Sequence, residues 1–306
     1  MTIKRLLQIS ILAALLPLES CFTGIESTPR VTGRDVERNN ASTTGEQIFA
    51  RQFVPLSFDR WTPGKRFVVT DSKINLVMSG DTIALGDTII YKGFSVSPTI
   101  TGDTASVMRF AVAGRVGAIG SRYRLDLSPS KISRRGPMTI PFTSDLDIVH
   151  AVDKALTGNY YYVLSPLWID TSDGVRGKKY VRVRITGVEA ATTDYPVKVS
   201  FVSDEGALGA LLMTVGNDRG STRNFDTLFA FNDPYLRYPS ISPENWQRIM
   251  AGIVAEGMSR DECRLALGTP RDVNKGENGV SLYERWTYDN GVYLIFEDGL
   301  LASFRR

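Results

Sequence analysis

The chain has 306 residues, 42% of them apolar and 23% charged, an ordinary globular composition long enough for two or three domains. Its 36 Lys and Arg stand against 33 Asp and Glu, a net charge of +3. So even a balance argues against the electrostatic footprint of a nucleic-acid-binding protein, and the composition is not that of a disordered chain.

Residues 1–20 read as an export signal. Lys4 and Arg5 form a basic start, and Leu6 to Leu18 is an apolar run too short for a comfortable membrane span. Leu18, Glu19, Ser20 and Cys21 follow. This pattern resembles the lipobox of bacterial lipoproteins, and Glu19 departs from its strict form as in Bacteroidota lipoproteins. The resemblance implies cleavage before Cys21 and its acylation by chains such as palmitate. Several chains are needed, because each buried methylene contributes about 0.8 kcal/mol and a single chain anchors only marginally. Phe22 to Gln47 is rich in Thr, Ser, Gly and charge, with little periodicity, so residues 21–62 are expected to form a flexible tether. Surface-exposed lipoproteins of the Bacteroidota often carry an acidic run just after the cysteine; here only Glu26 is acidic there, and the resemblance therefore leans toward the periplasmic face of the outer membrane rather than the cell surface.

Short β runs follow, and residues 63–137 are expected to form a small antiparallel sandwich or barrel. "RFVVTD", "KINLVM", "DTIALGDTIIYKGFSV", "SVMRFAVAG" and "RYRLDLS" are separated by turn-like pairs such as Gly86-Asp87. "GRVGAIG" (Gly114 to Gly120) lacks the spacing of a dinucleotide fingerprint and reads as a glycine loop or bulge. Four Asp-Thr pairs, at Thr82, Thr88, Thr104 and Thr227, resemble the O-glycosylation acceptor motif of exported Bacteroidota proteins.

Residues 138–232 are expected to form a second β-rich domain with one helix. Ser144 can cap that helix, with Ile148, Ala151, Val152 and Ala155 on its inner face and the single histidine, His150, turned to solvent. His150 has no second ligand at metal-binding spacing, and neither metal nor cofactor is expected. "YVRVRI" alternates Tyr180, Arg182 and Arg184 against Val181, Val183 and Ile185. Tyr160, Tyr161, Tyr162 and Trp168 form an aromatic cluster suited to sugar stacking, though such rings in a β domain are more often core.

Residues 241–306 form the most regular stretch. Ser242 with Pro243 opens a helix carrying Trp246, Ile249, Met250 and Ile253 on one face, and Gly257 ends it. Ser259 and Glu262 form a capping box, Cys263, Ala266 and Leu267 line the next helix, and Gly268 and Pro270 stop it. After a polar loop, Arg271 to Ser281, the turn signals Asn290-Gly291 and Asp298-Gly299 mark a three-stranded meander.

Here the chain resembles the SmpA/OmlA (BamE-like) domain, found in a small lipoprotein of the outer-membrane β-barrel assembly machinery. The residues that carry the resemblance are Gly257, Met258 and Ser259, with Glu262 of the capping box; Leu267, Gly268 and Pro270; Trp286 and Tyr288; and Phe296 and Gly299. The resemblance implies mainly structural roles for them. The expected fold is therefore α+β, mostly β: one or two small antiparallel sandwich or barrel domains, then a C-terminal ααβββ module. The expected function is a non-enzymatic outer-membrane lipoprotein, held by its acyl anchor. It would act as a scaffold or accessory factor in envelope assembly through contacts with envelope proteins, the barrel-assembly machinery among them. Two other readings stay open: an envelope glycan or peptidoglycan binder working through the aromatic cluster, and a cysteine hydrolase using Cys263 and His150.

Overall fold

Among the described residues, β-branched runs broken by glycine turns fold into three antiparallel sheets, each with its own apolar core. The computed structural model describes residues 44–117, 119–171, 177–216, 223–278 and 281–305; the export signal and Cys21 lie outside them. The described chain is mostly β, with curled sheets that form half-barrels.

The expected tether is shorter than residues 21–62. Thr44 caps helix α1 (Gly45–Ala50) in a reciprocal box with Gln47. Phe49 and Phe53 pack on the second core, and Phe58 and Trp61 enter the first. The aromatics drive this, because their burial outweighs the polar composition around them.

The first sheet has six strands in the order β2-β5-β4-β3-β1-β6. They are β1 (Arg66–Val69), β2 (Met78–Gly80), β3 (Thr88–Pro98), β4 (Thr104–Val112), β5 (Ser121–Leu125) and β6 (Thr143–Asp145). "KINLVM" is a correction: it turns through helix α2 (Ile74–Val77) before β2 begins. Helix α3 (Pro129–Arg134) follows β5. The boundary expected after Pro137 falls at Asp145 instead, because β6 pairs with β1 and Ile140 is buried in the first core.

Helix α4 (Leu146–Leu156) then crosses to the second core with Ile148, Val149, Val152 and Leu156 buried. Val149 and Leu156 take the inner place expected for Ala151, which is exposed; His150 is exposed as expected. The cap is Asp145 rather than Ser144: its carboxylate accepts from the Asp147 amide. Asp145 also pairs with Lys65 at 2.6 Å, both side chains 3% exposed, so one buried ion pair ties the first sheet to the start of α4.

The second sheet runs β10-β9-β8-β7-β11. Its strands are β7 (Tyr160–Val163), β8 (Val181–Ala190), β9 (Val197–Ser203), β10 (Leu208–Met213) and β11 (Phe229–Ala230), with helix α5 (Phe225–Leu228) before the last. Gly209 is chosen by space: a Cβ there would stand 2.8 Å from Trp168 and 3.0 Å from Phe201.

The C-terminal unit comprises α6 (Pro243–Met250), α7 (Arg260–Leu267), β12 (Asp272–Asn278), β13 (Ser281–Thr287), β14 (Tyr293–Glu297) and β15 (Leu300–Arg305). The expected polar loop is strand β12, paired with β13 from Asp272↔Thr287 to Asn278↔Ser281, so the unit is ααββββ rather than ααβββ. Its nearly all-polar sequence hid it, because Asp272 to Gly276 face water and show no apolar side of period two. Helix α6 also ends at Met250, before Gly257, because Gly252 adopts φ +65 and Ile253 turns out to solvent.

Candidate functional site

The residues of the C-terminal motif converge on one helix-on-sheet joint. Gly257, at φ +83, donates its amide to Leu301 O (2.8 Å), and Leu301 returns a bond to Met258 O (2.8 Å). The approach to α7 is thereby stitched to β15. Ser259 accepts from the Glu262 amide and Glu262 accepts from the Ser259 amide at 2.7 Å, closing the capping box. Asn245 of α6 donates to the same Glu262 carboxylate at 2.8 Å, which locks the two helices together.

Gly268 ends α7 at φ +91, and its carbonyl accepts from the Tyr288 hydroxyl at 3.2 Å. Pro270 is buried and Leu267 half-buried. Met258, Trp286, Phe296 and Leu301 fill the core between helices and sheet. The Asp298-Gly299 turn has φ +49 and +86, the geometry of a tight two-residue hairpin. At Asn290-Gly291 only Gly291 is left-handed, and the loop between Tyr288 and Val292 holds three residues instead of the expected two.

Cys263 is fully buried in this core. Burial, then the Glu262 charge, push its thiol up to about 12. His150 stands on the exposed face of α4, a helix packed on a different core. The structure therefore does not bring the two together, and the thiol lacks the electropositive, accessible setting a nucleophile requires.

The aromatic cluster also divides. Tyr161 is buried among Phe225 and Phe229, whereas Tyr160 and Tyr162 face the other side of β7. Trp168 packs edge-on against Phe201, and its indole donates to Ser165 O at 3.0 Å. Only Tyr160 remains widely exposed, with the Arg182 guanidinium 4.2 Å above its ring. Tyr180 leaves the alternating face altogether. It adopts φ +59, stacks on Trp246 at 5.6 Å and donates to Leu265 O.

Beside the joint lies a cleft of about 720 Å³, lined by Arg260 and Arg264 of α7, Val273 and Lys275 of β12, Glu284 of β13, and Leu300 of β15. A second hollow of about 410 Å³ continues it past Lys275, Glu284 and Leu282. Glu284 is the floor, its side chain only 12% exposed. It pairs with Arg260 at 2.5 Å and Lys275 at 3.3 Å, and accepts from the Trp286 indole at 3.1 Å. Burial alone would raise this carboxyl. The Trp286 and Lys275 hydrogen bonds and the Arg260 charge outweigh it and hold the group below its ordinary value. Arg264 covers the opposite wall, 5.0 Å above the Trp286 ring.

Lys275 and Glu284 were not singled out by the sequence. Glu284 had a readable signal: it stands two before Trp286, so strand parity turns a carboxylate onto the apolar face. Lys275 had none, because its partner lies across a strand pair that the polar stretch concealed. The described residues hold no group of three His, Cys, Asp or Glu arranged to bind a metal. Among known proteins, no family model, no curated protein and no solved structure matches the chain.

Proposed function

We propose that this chain is an outer-membrane lipoprotein, anchored through acylated Cys21 on the periplasmic face, which acts without catalysis as a scaffold or accessory factor in envelope assembly. The observation that carries the reading is the C-terminal joint. Its SmpA/OmlA-like residues serve as caps, turns and core of one helix pair on one sheet, and this builds a rigid unit with an open cleft beside it. A rigid element with an open cleft that combines apolar side chains, Val273 and Leu300, with charged ones offers the two kinds of group that protein contacts use. Burial of Cys263 supports a packing role for the thiol rather than a nucleophilic one.

The test has two arms. Cys21→Ala is expected to abolish palmitate incorporation and move the protein from the membrane to the soluble fraction. An affinity-tagged parent, extracted in gentle detergent, is expected to bring down the central barrel-assembly subunit. Purification of the tagged protein alone would count against the scaffold role.

A further inference from the structure

The "GRVGAIG" stretch has no part in the C-terminal joint, and its surroundings give it one of its own. It connects β4 to β5 at one end of the first half-barrel. A second connection, Asp81 to Asp87, leads into β3 at the same end. The two are laced together: Asp81 accepts from the Gly120 amide at 2.8 Å, and Asp87 pairs with Arg115 at 2.7 Å. Gly80 and Gly120 approach so closely that a Cβ on Gly80 would stand 2.2 Å from the Gly120 carbonyl oxygen.

This braced end projects aliphatic side chains into water. Val116 is 101% exposed, Ile119 85% and Leu85 67%. Leu85 stands beside Gly86 at the apex of the Ala84–Asp87 turn, where polar residues ordinarily belong. Asp81 and Asp87 are engaged inward by the lacing, and Asp71, two residues past Val69 at the same end, accepts from the Lys73 amide and pairs with its ammonium at 3.5 Å.

The adjoining outer face of the sheet is cationic. Strands β1, β3, β4 and β5 contain no Asp or Glu, yet carry Arg66, Lys92, Arg109, Arg122 and Arg124. Arg109 and Arg122 are direct cross-strand partners, and like charges so placed repel. Arg66, Lys92, Arg109 and Arg122 are exposed and make no ion pair among the described residues. Arg122 lies two residues beyond Gly120, so the cations begin where the aliphatic tips end.

We infer that this end of the first half-barrel docks on an anionic lipid surface, with Leu85, Val116 and Ile119 entering the interface and Arg66, Lys92, Arg109 and Arg122 meeting the headgroups. Aliphatic tips braced from behind and flanked by unpaired cations match both layers of such a surface. The inference goes beyond the scaffold reading and does not depend on acylation of Cys21.

The test uses residues 22–306, which retain the whole folded unit and lack both the apolar leader and Cys21. The protein is sedimented with phosphatidylcholine vesicles with and without phosphatidylglycerol. Binding is expected only with phosphatidylglycerol and should weaken as salt rises. Val116→Ser with Ile119→Ser should lower partition at least about tenfold, and Arg109→Ser with Arg122→Ser should remove the phosphatidylglycerol dependence. Unchanged circular dichroism would show that both double variants fold. No sedimentation with phosphatidylglycerol, or equal sedimentation of parent and tip variant, overturns the inference. So does light scattering that reveals a dimer dissolved by the tip changes, which would identify a second copy as the occupant. Tight binding of a soluble polyanion with the tip changes neutral would overturn it as well.

Discussion

At the scale of single residues, Glu284 shows how a carboxylate survives on an apolar face. Desolvation opposes its charge, and Trp286, Lys275 and Arg260 together overcome that cost. A carboxyl held low in the folded chain contributes stability above its unfolded value and loses it as pH falls through the folded value. The parent should therefore lose stability as pH falls from the ordinary glutamate value through the lower one that Glu284 has in the fold. Glu284→Gln should lower stability by about 1–3 kcal/mol at neutral pH and flatten this acid limb, because a neutral amide meets two cations there. Denaturant melts of both proteins from neutral to acid pH would check this, and parallel acid limbs would contradict it.

Secondary elements here are set by caps and by space. The capping boxes at Thr44 and Ser259 satisfy helix-start amides that would otherwise lie open. In the second sheet, β10 accepts Trp168 only because Gly209 has no side chain. Gly209→Ala should thus overpack the site and lower stability by about 1–3 kcal/mol, with no left-handed backbone strain involved. Pairing it with Trp168→Leu should recover part of the loss in a thermal-melt cycle. An additive double variant would mean that contact with the indole is not the cause.

For the whole molecule, the described chain from Thr44 onward belongs to one unit although it holds three cores. Two polar joints explain how. Lys65 with Asp145 ties the first sheet to α4, and the Lys179-Tyr180 pair ties the second sheet to the C-terminal unit. The Lys179 ammonium donates to the carbonyls of Leu265 (3.2 Å) and Ala266 (2.9 Å), capping the end of α7, while its amide donates to Met250 O at 3.1 Å beside the end of α6. Lys179→Ala with Tyr180→Ala should convert one unfolding transition into two, the C-terminal unit melting separately. Calorimetry would show this directly, and a single transition lowered in temperature would refute it.

Much of this was legible along the chain. The capping boxes, the alternation of "VRVRI", the helix around Cys263 and the Asp298-Gly299 turn are local patterns, and local hydrogen bonds and side-chain parity are enough to set them. What tertiary structure decided were the pairings and contacts that the side-chain pattern does not announce. Strand β12 exists because β13 satisfies its backbone, not because its own side chains call for burial. Tyr180 leaves its strand face because Trp246 and Leu265 offer a ring and a carbonyl, and the Tyr160–Trp168 cluster splits because only one side of β7 is dry. The cleft around Glu284 and the cationic face beside "GRVGAIG" belong to the same class. Each depends on which strands become neighbours and in what register, and register is weakly specified where the side chains on both faces are polar.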